Sequence, residues 1–229
     1  MIGLAGSIAS GKSTVAQLLV ERGAIHCDAD KLVHRLYDPG TPGFERVVAA
    51  FGEDIVGPDG YVDRKKLGAK VFGKPEEMAK LTRAMGSITE TIYNQLETWR
   101  RELGPGQVAV LEAVNLMEPG YAAKCDQTWL IGIGDDIALQ RLMASRGLTE
   151  AEARQRLASQ RPFDARAGGA DWTCINDGTL DDLRDAVNAE FDRILALHQR
   201  GELPRSKFHA WYEAFEGKAE ELAKRRPTG

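Results

Sequence analysis

Gly6-Ser7-Ile8-Ala9-Ser10-Gly11-Lys12-Ser13 is the stretch whose reading decides the fold. It fits the spacing G-x-x-x-x-G-K-[ST], a loop that cradles the phosphates of a nucleoside triphosphate. The glycines let the backbone bend into a nest of inward-pointing N–H groups. A helix starting at Lys12 would add its open N-terminal N–H groups and positive dipole end. Lys12 supplies a mobile charge that can follow the β- and γ-phosphates. The Ser13 hydroxyl is suited to magnesium, and Thr14 extends the binding stretch. The flanks agree with this reading. Met1 to Ala5 is a short apolar run, as a buried strand would be. From Lys12 to Arg22 the apolar residues Val15, Ala16, Leu18, Leu19 and Val20 suit a helix.

Outward from the loop, Gly23 ends that helix and Ala24 to Cys27 reads as a second strand, completing a βαβ opening. Helical patterns then dominate: Asp28–Tyr37, Gly43–Phe51, Asp63–Phe72, and Pro75–Leu103 almost throughout. Strand patterns return at Val108–Leu111, Thr128–Ile133 and Trp172–Ile175. Between the last two lie helices over Asp135–Arg146 and Thr149–Gln160, and a long helix spans Thr179–Leu197. Strands alternating with helices predict an α/β fold with a parallel sheet. The stretch of about 80 residues between the second strand and Val108 is too long for a loop. It reads as a helical substrate-binding subdomain.

Bulk properties narrow the class. The 229 residues suffice for one core domain with small appended subdomains. A net charge of −4 gives no basic footprint for nucleic acid, so a nucleic-acid partner is not expected. No run reaches the about 18 apolar residues that a membrane span needs, so no membrane partner is expected either. Cys27, Cys125 and Cys174 are far apart and odd in number, which argues against a disulfide framework or a zinc site. A cytoplasmic protein is the expectation.

Two acidic features sit where ligands gather in an open parallel sheet, at the carboxyl ends of strands. Asp28 and Asp30 follow the second strand. A carboxylate there can accept the proton of a hydroxyl attacking the γ-phosphate, or can cap the next helix. Glu112 ends the strand Val108–Leu111, a position suited to magnesium, directly or through water, or simply to a solvated strand end.

With these residues in place, the chain resembles the dephospho-coenzyme A kinases, from Met1 to about Leu197. The opening Ile2 to Ala16 is similar to that family's, as is Gly23-Ala24 followed by Asp28-Ala-Asp30-Lys-Leu-Val-His34-Arg-Leu-Tyr37. So are Pro39-Gly40, Phe51-Gly52, Gly60-Tyr-Val-Asp63-Arg64-Lys-Lys-Leu67 and Val71-Phe72. Gln140-Arg141-Leu-Met143 with Gly147-Leu148-Thr149 resembles the family's lid, and Ile175-Asn176-Asp177-Gly178 its closing strand and loop. The resemblance implies a P-loop kinase core (1–62 and 104–200), a helical substrate-binding insertion (63–103), a lid over about 141–166, and a C-terminal helical extension (201–229).

The resemblance also implies transfer of a phosphoryl group from ATP, with Mg2+, to the ribose 3′-hydroxyl of dephospho-coenzyme A. By this analogy Asp30 is the base and Asp28 supports it. Arg141 reaches the transferred phosphoryl from the lid, and Asn176 joins the ATP site. His34 and Arg64 bind or shape the acceptor, with Arg146 as a further candidate. A monomer or weak homo-oligomer is expected. Four positions depart from the family's pattern. Gly86-Ser87 replaces a His-Pro pair, and Val114-Asn115 stands in a strand exit usually Pro-Leu. Ser145 occupies the second lid arginine's place, with Arg146 one residue later, and Ser7 replaces the loop's second glycine. One helical residue is a rotation of about 100°, so Arg146 would face differently. A kinase for a nucleoside or nucleotide, or a non-catalytic nucleotide-binding paralogue, are the alternatives these departures raise.

Overall fold

The computed structural model describes the backbone of residues 1–224, and the side chains of that range except Arg146 and 217–224. Two compact units emerge: Met1–Asp28 with the chain from Trp99 onward, and Ala29–Thr98. The expected insertion, 63–103, falls for most of its length in the second.

The first unit is built on a five-stranded sheet. Its strands are β1 (Ile2–Gly6), β2 (Ile25–Asp28), β3 (Ala109–Glu112), β4 (Gln127–Gly132) and β5 (Trp172–Ile175), in the order β2-β3-β1-β4-β5. Every neighbouring pair is parallel. The order follows from hydrophobicity. β1, β3 and β4 are buried along their whole length and occupy the centre, whereas β2 and β5 are partly exposed and take the edges. Helices α1 (Lys12–Glu21) and α10 (Leu180–Gln199) close one core through Val15, Leu19, Val110, Trp129, Leu183, Val187 and Phe191. Each such side chain contributes about 1.5–3 kcal/mol by leaving water. Between β4 and β5 lie α7 (Asp135–Arg146), α8 (Glu150–Ala158) and α9 (Asp164–Ala167). α8 begins with a capping box in which Thr149 and Glu152 satisfy each other's backbone.

The second unit is helical: α2 (Ala29–His34), α3 (Pro42–Phe51), α4 (Arg64–Val71), α5 (Pro75–Met85) and most of α6 (Ile88–Glu102). Val47, Phe51, Ile55, Leu67, Val71 and Leu81 form its core. The near-continuous helix expected over 75–103 is instead broken at Gly86-Ser87. Gly86 takes φ +96, and the Ser87 hydroxyl accepts the Glu90 amide at 3.1 Å to start α6. Arg46 donates to the carbonyls of Ala84 and Met85 at the end of α5.

The tail packs on its own unit through α11 (Phe208–Lys224). Phe208 is fully buried, and the Trp211 indole donates to the Ala165 carbonyl at 3.2 Å. Ahead of this helix, Asp171 is the anchor. Its carboxylate accepts from the Thr128 amide (2.7 Å), the Ser206 hydroxyl (2.6 Å) and the Lys207 amide (2.8 Å). Among the described residues no helix is long and apolar enough to cross a membrane.

Asp171→Ala removes three acceptor contacts and leaves part-buried donors unpaired. A loss of about 2–3 kcal/mol is expected, which for a chain this size lowers the thermal midpoint by about 4–10 °C. Differential scanning fluorimetry checks this; an unchanged midpoint would deny Asp171 its anchoring role.

Candidate active site

The loop Gly6–Ser13 leaves the carboxyl end of β1 and enters α1. Two residues adopt left-handed backbone there: Gly11 (φ +87), the N-cap of α1, and Ala9 (φ +61), the only non-glycine residue of the described chain with positive φ. A side chain in that region costs about 1–3 kcal/mol, and such strain is held where function needs the shape. No side chain caps α1, so its first N–H groups remain available to an anion.

Long-range contacts hold this shape. The Ser7 amide donates to the Ile131 carbonyl of β4 (3.0 Å), and the Ile8 amide to Gln160 Oε1 (2.7 Å). Buried Asn176 donates through Nδ2 to the Ser10 carbonyl (2.8 Å). Arg141 of α7 donates to the carbonyls of Ala9 (3.3 Å) and Asn176 (3.2 Å), which ties it to the loop. Lys12 is buried, and its ammonium donates to the carbonyls of Gly6 and Ser7, both at 3.2 Å. A cavity of about 390 Å³ opens over Ala9–Thr14 and is closed on one side by Arg141, Ala144 and Ser145 of α7.

The acidic groups are set by strand register. Asp28 of β2 pairs with Glu112 of β3, and Glu112 with Leu4 of β1, so both carboxylates lie at the end of the sheet from which the loop departs. Glu112 accepts the Ser13 hydroxyl on Oε1 (2.8 Å) and meets His26 Nε2 on Oε2 (3.1 Å). A hydroxyl and a carboxylate oxygen side by side are the hard donors a magnesium ion takes, and the fit is good because that ion keeps few protein ligands. Among the described residues no group of three or more His, Cys, Asp or Glu side chains could hold a metal.

Asp30 lies two residues past Asp28, exposed in the first turn of α2. In the same helical unit His34 Nδ1 meets the Tyr37 hydroxyl at 2.6 Å. Burial pushes the Tyr37 phenol up, and the nearby Arg64 charge works against that rise. His34, Tyr37 and Arg64 are thus neighbours. The Arg146 side chain lies outside the described residues. Sequence reasoning missed Gln160 and His26. Neither belongs to a motif, and only the fold brings them to Ile8 and Glu112. Cys125 is buried, with its thiol pushed up to about 12 by desolvation, and takes no part.

Comparison with known proteins adds the family. The sequence profile described as Dephospho-CoA kinase matches residues 1–182. The curated dephospho-CoA kinase of Symbiobacterium thermophilum is 42% identical over 190 residues, covering 82% of this chain and 79% of that one. That of Streptomyces avermitilis is 37% identical over 202 residues, covering 88% and 97%. Among solved structures, TT1252 from Thermus thermophilus is 30% identical with a TM-score of 0.67, covering 84% of this chain and 96% of its own. The dephospho-CoA kinase from Campylobacter jejuni, 23% identical, shares the fold with a TM-score of 0.60 over 84% of this chain and 95% of its own.

Gly11→Ala places a Cβ 2.6 Å from Asn176 Nδ2 on backbone with φ +87. The Asn176–Ser10 tie must break or the loop must shift. Affinity for a non-hydrolysable ATP analogue is expected to fall about tenfold or more, from strain of about 1–3 kcal/mol. Isothermal titration calorimetry reads this directly, and wild-type affinity would show that the loop's shape does not set binding.

Proposed function

This chain belongs to the dephospho-CoA kinase family, and from that premise we propose how its residues divide the work. The reaction transfers the γ-phosphoryl group of ATP to dephospho-CoA, at the ribose 3′-hydroxyl, giving coenzyme A and ADP. The observation that carries the reading is the strained, side-chain-braced loop Gly6–Ser13 with Ser13 bonded to Glu112.

ATP docks on Gly6–Thr14, its phosphates taking the loop amides and the open first turn of α1. Lys12 and Arg141 neutralise charge on the moving phosphoryl, with Arg146 as a further donor from the lid. Ser13 and Glu112 would hold Mg2+, which would supply positive charge to offset that of the ATP phosphates. Asp30 accepts the proton of the acceptor hydroxyl as its oxygen bonds to the γ-phosphorus. The bond from that phosphorus to the β,γ-bridging oxygen breaks and ADP leaves. Asp28 orients Asp30, and Asn176 keeps the nucleotide side of the loop in shape. His34 and Arg64 shape the acceptor's pocket. The lid, about 141–166, closes to keep water from the phosphoryl.

The protein works in the cytoplasm as a monomer or weak homo-oligomer. Three distant cysteines and an α11 that packs on its own unit support that reading.

Asp30→Asn should lower kcat about 10²–10⁴-fold while leaving ATP-analogue affinity within a few-fold. Lys12→Ala should lose about 10²–10³-fold in kcat. Coupled ADP release with dephospho-CoA measures both. Near wild-type turnover in Asp30→Asn would remove that residue from its role. The acceptor itself is tested by a panel of nucleosides and mononucleotides beside dephospho-CoA. Turnover of the panel with none of dephospho-CoA would overturn the substrate reading.

A further inference from the structure

Arg166, in α9 at the end of the lid segment, is 3% exposed. Its Nε and Nη2 are buried and have no hydrogen-bond partner. A guanidinium stays charged at any physiological pH, and leaving its donors buried and unpaired is costly. The nearest opposite charge is Glu118, in the loop that leaves β3, and it does not satisfy them, since Glu118 Oε2 is itself buried without a hydrogen bond. Glu118 instead forms an ion pair with Arg161 at 3.6 Å. Glu118 thus acts on Arg166 through its charge, with no hydrogen bond between the two.

The location is informative. Six residues before Arg166, Gln160 holds the Ile8 amide of the phosphate loop. Three residues before it, the Phe163 ring packs on Gly132, the last residue of β4. Three residues after it, Gly169 packs under Trp211, whose indole is tied to the Ala165 carbonyl. The segment that carries Arg166 is therefore anchored, on its N-terminal side, at the carboxyl end of the sheet, where ligands of open parallel sheets bind. Arg166 is not among the residues that line the nucleotide cavity.

We propose that Arg166 is a substrate-binding residue whose guanidinium takes the oxygens of a substrate phosphate, as a two-pronged donor that replaces its incomplete pairing with Glu118. This deepens the kinase reading and rests on it. Both substrates carry phosphates. Because Arg166 lies outside the ATP cavity, the acceptor's pyrophosphate is the group expected on it. The planar fork of arginine matches phosphate oxygens in pairs, which lysine cannot do.

The test uses the full chain with Arg166→Met and Arg166→Lys. Calorimetric affinities and KM values are measured separately for ATP (or its non-hydrolysable analogue) and for dephospho-CoA, with thermal midpoints alongside. Arg166→Met should weaken one substrate about 10–100-fold, and Arg166→Lys should recover part of the loss. A change in the dephospho-CoA arm assigns the acceptor phosphate; a change in the ATP arm assigns the donor phosphate. Both arms within twofold of wild type, with only the midpoint lowered, would make Arg166 a structural partner of Glu118 and overturn the proposal. If Arg166→Met does not fold, Arg166→Lys, which keeps the charge, decides on the same criterion. Should wild-type protein fail to turn over dephospho-CoA, the kinase reading's substrate is wrong; the best acceptor of the panel then takes that arm, and Arg166 is judged as before.

Discussion

The parallel register of β1, β3 and the edge strand β2 is the constraint from which the site follows. Once Leu4 pairs with Glu112 and Glu112 with Asp28, the ends of β3 and β2 are level, and β1 runs on to Gly6 at the start of the loop. The phosphate loop, a metal-suited carboxylate and the first acid of the Asp28–Asp30 pair then arrive together without any side chain having to reach. A slip of one residue would turn Glu112 to the opposite face of the sheet and separate it from Ser13. Burial along the whole of β1 and β3, with Glu112 the one charged residue among them, holds that register. Hydrophobic burial, the least specific force in the molecule, positions its most specific chemistry.

The loop itself is less self-sufficient than its motif suggests. Its strained residue, Ala9, is followed by a carbonyl that Arg141 holds, and Ser10's carbonyl is held by Asn176. Gln160 takes the Ile8 amide from a third direction. These braces come from α7, from the segment after α8, and from the segment after β5. Arg141 is tied at once to the loop and to Asn176 just past β5, so α7 and both segments share one side chain. A ligand phosphoryl that draws on Arg141 competes with the Ala9 carbonyl for its donors.

How much of this the sequence carried depends on the distance over which each feature is encoded. The βαβ opening, the loop and the central strands were legible because period, glycine placement and burial are local signals. The break at Gly86-Ser87 was not read, although a glycine beside a serine is a stop and a start. The strong helical pattern on both sides masked it. Asp28, Asp30 and Glu112 were legible as strand-end acids, and the sheet order that places Asp28 beside Glu112 needed the structure. Gln160, His26 and Arg166 were invisible as site residues because nothing local distinguishes them. Their meaning comes from what lies opposite in space, more than 80 positions away along the chain for His26 and Glu112.

The departures from the family's pattern can now be weighed by where they fall. Gly86-Ser87 carries out a local task, ending α5 on positive φ and capping α6, so this pair is accounted for by backbone needs alone. Val114 and Asn115 are both exposed, and their neighbours Leu116 and Met117 are fully buried, so the loop after β3 keeps its anchorage while its rim changes. Ser7 is buried with its amide on the Ile131 carbonyl, compatible with the loop's bend. Ser145 lines the nucleotide cavity and donates its hydroxyl to the Arg141 carbonyl, a helix-internal bond that leaves no cation at that place. The buried guanidinium of Arg166, at the lid's other end, is the positive charge the fold retains for phosphate on that side. Loss of a lid arginine at one end and retention of an unsatisfied one at the other are the pattern expected when charge on the substrates must still be balanced but the side chain that balances it has changed.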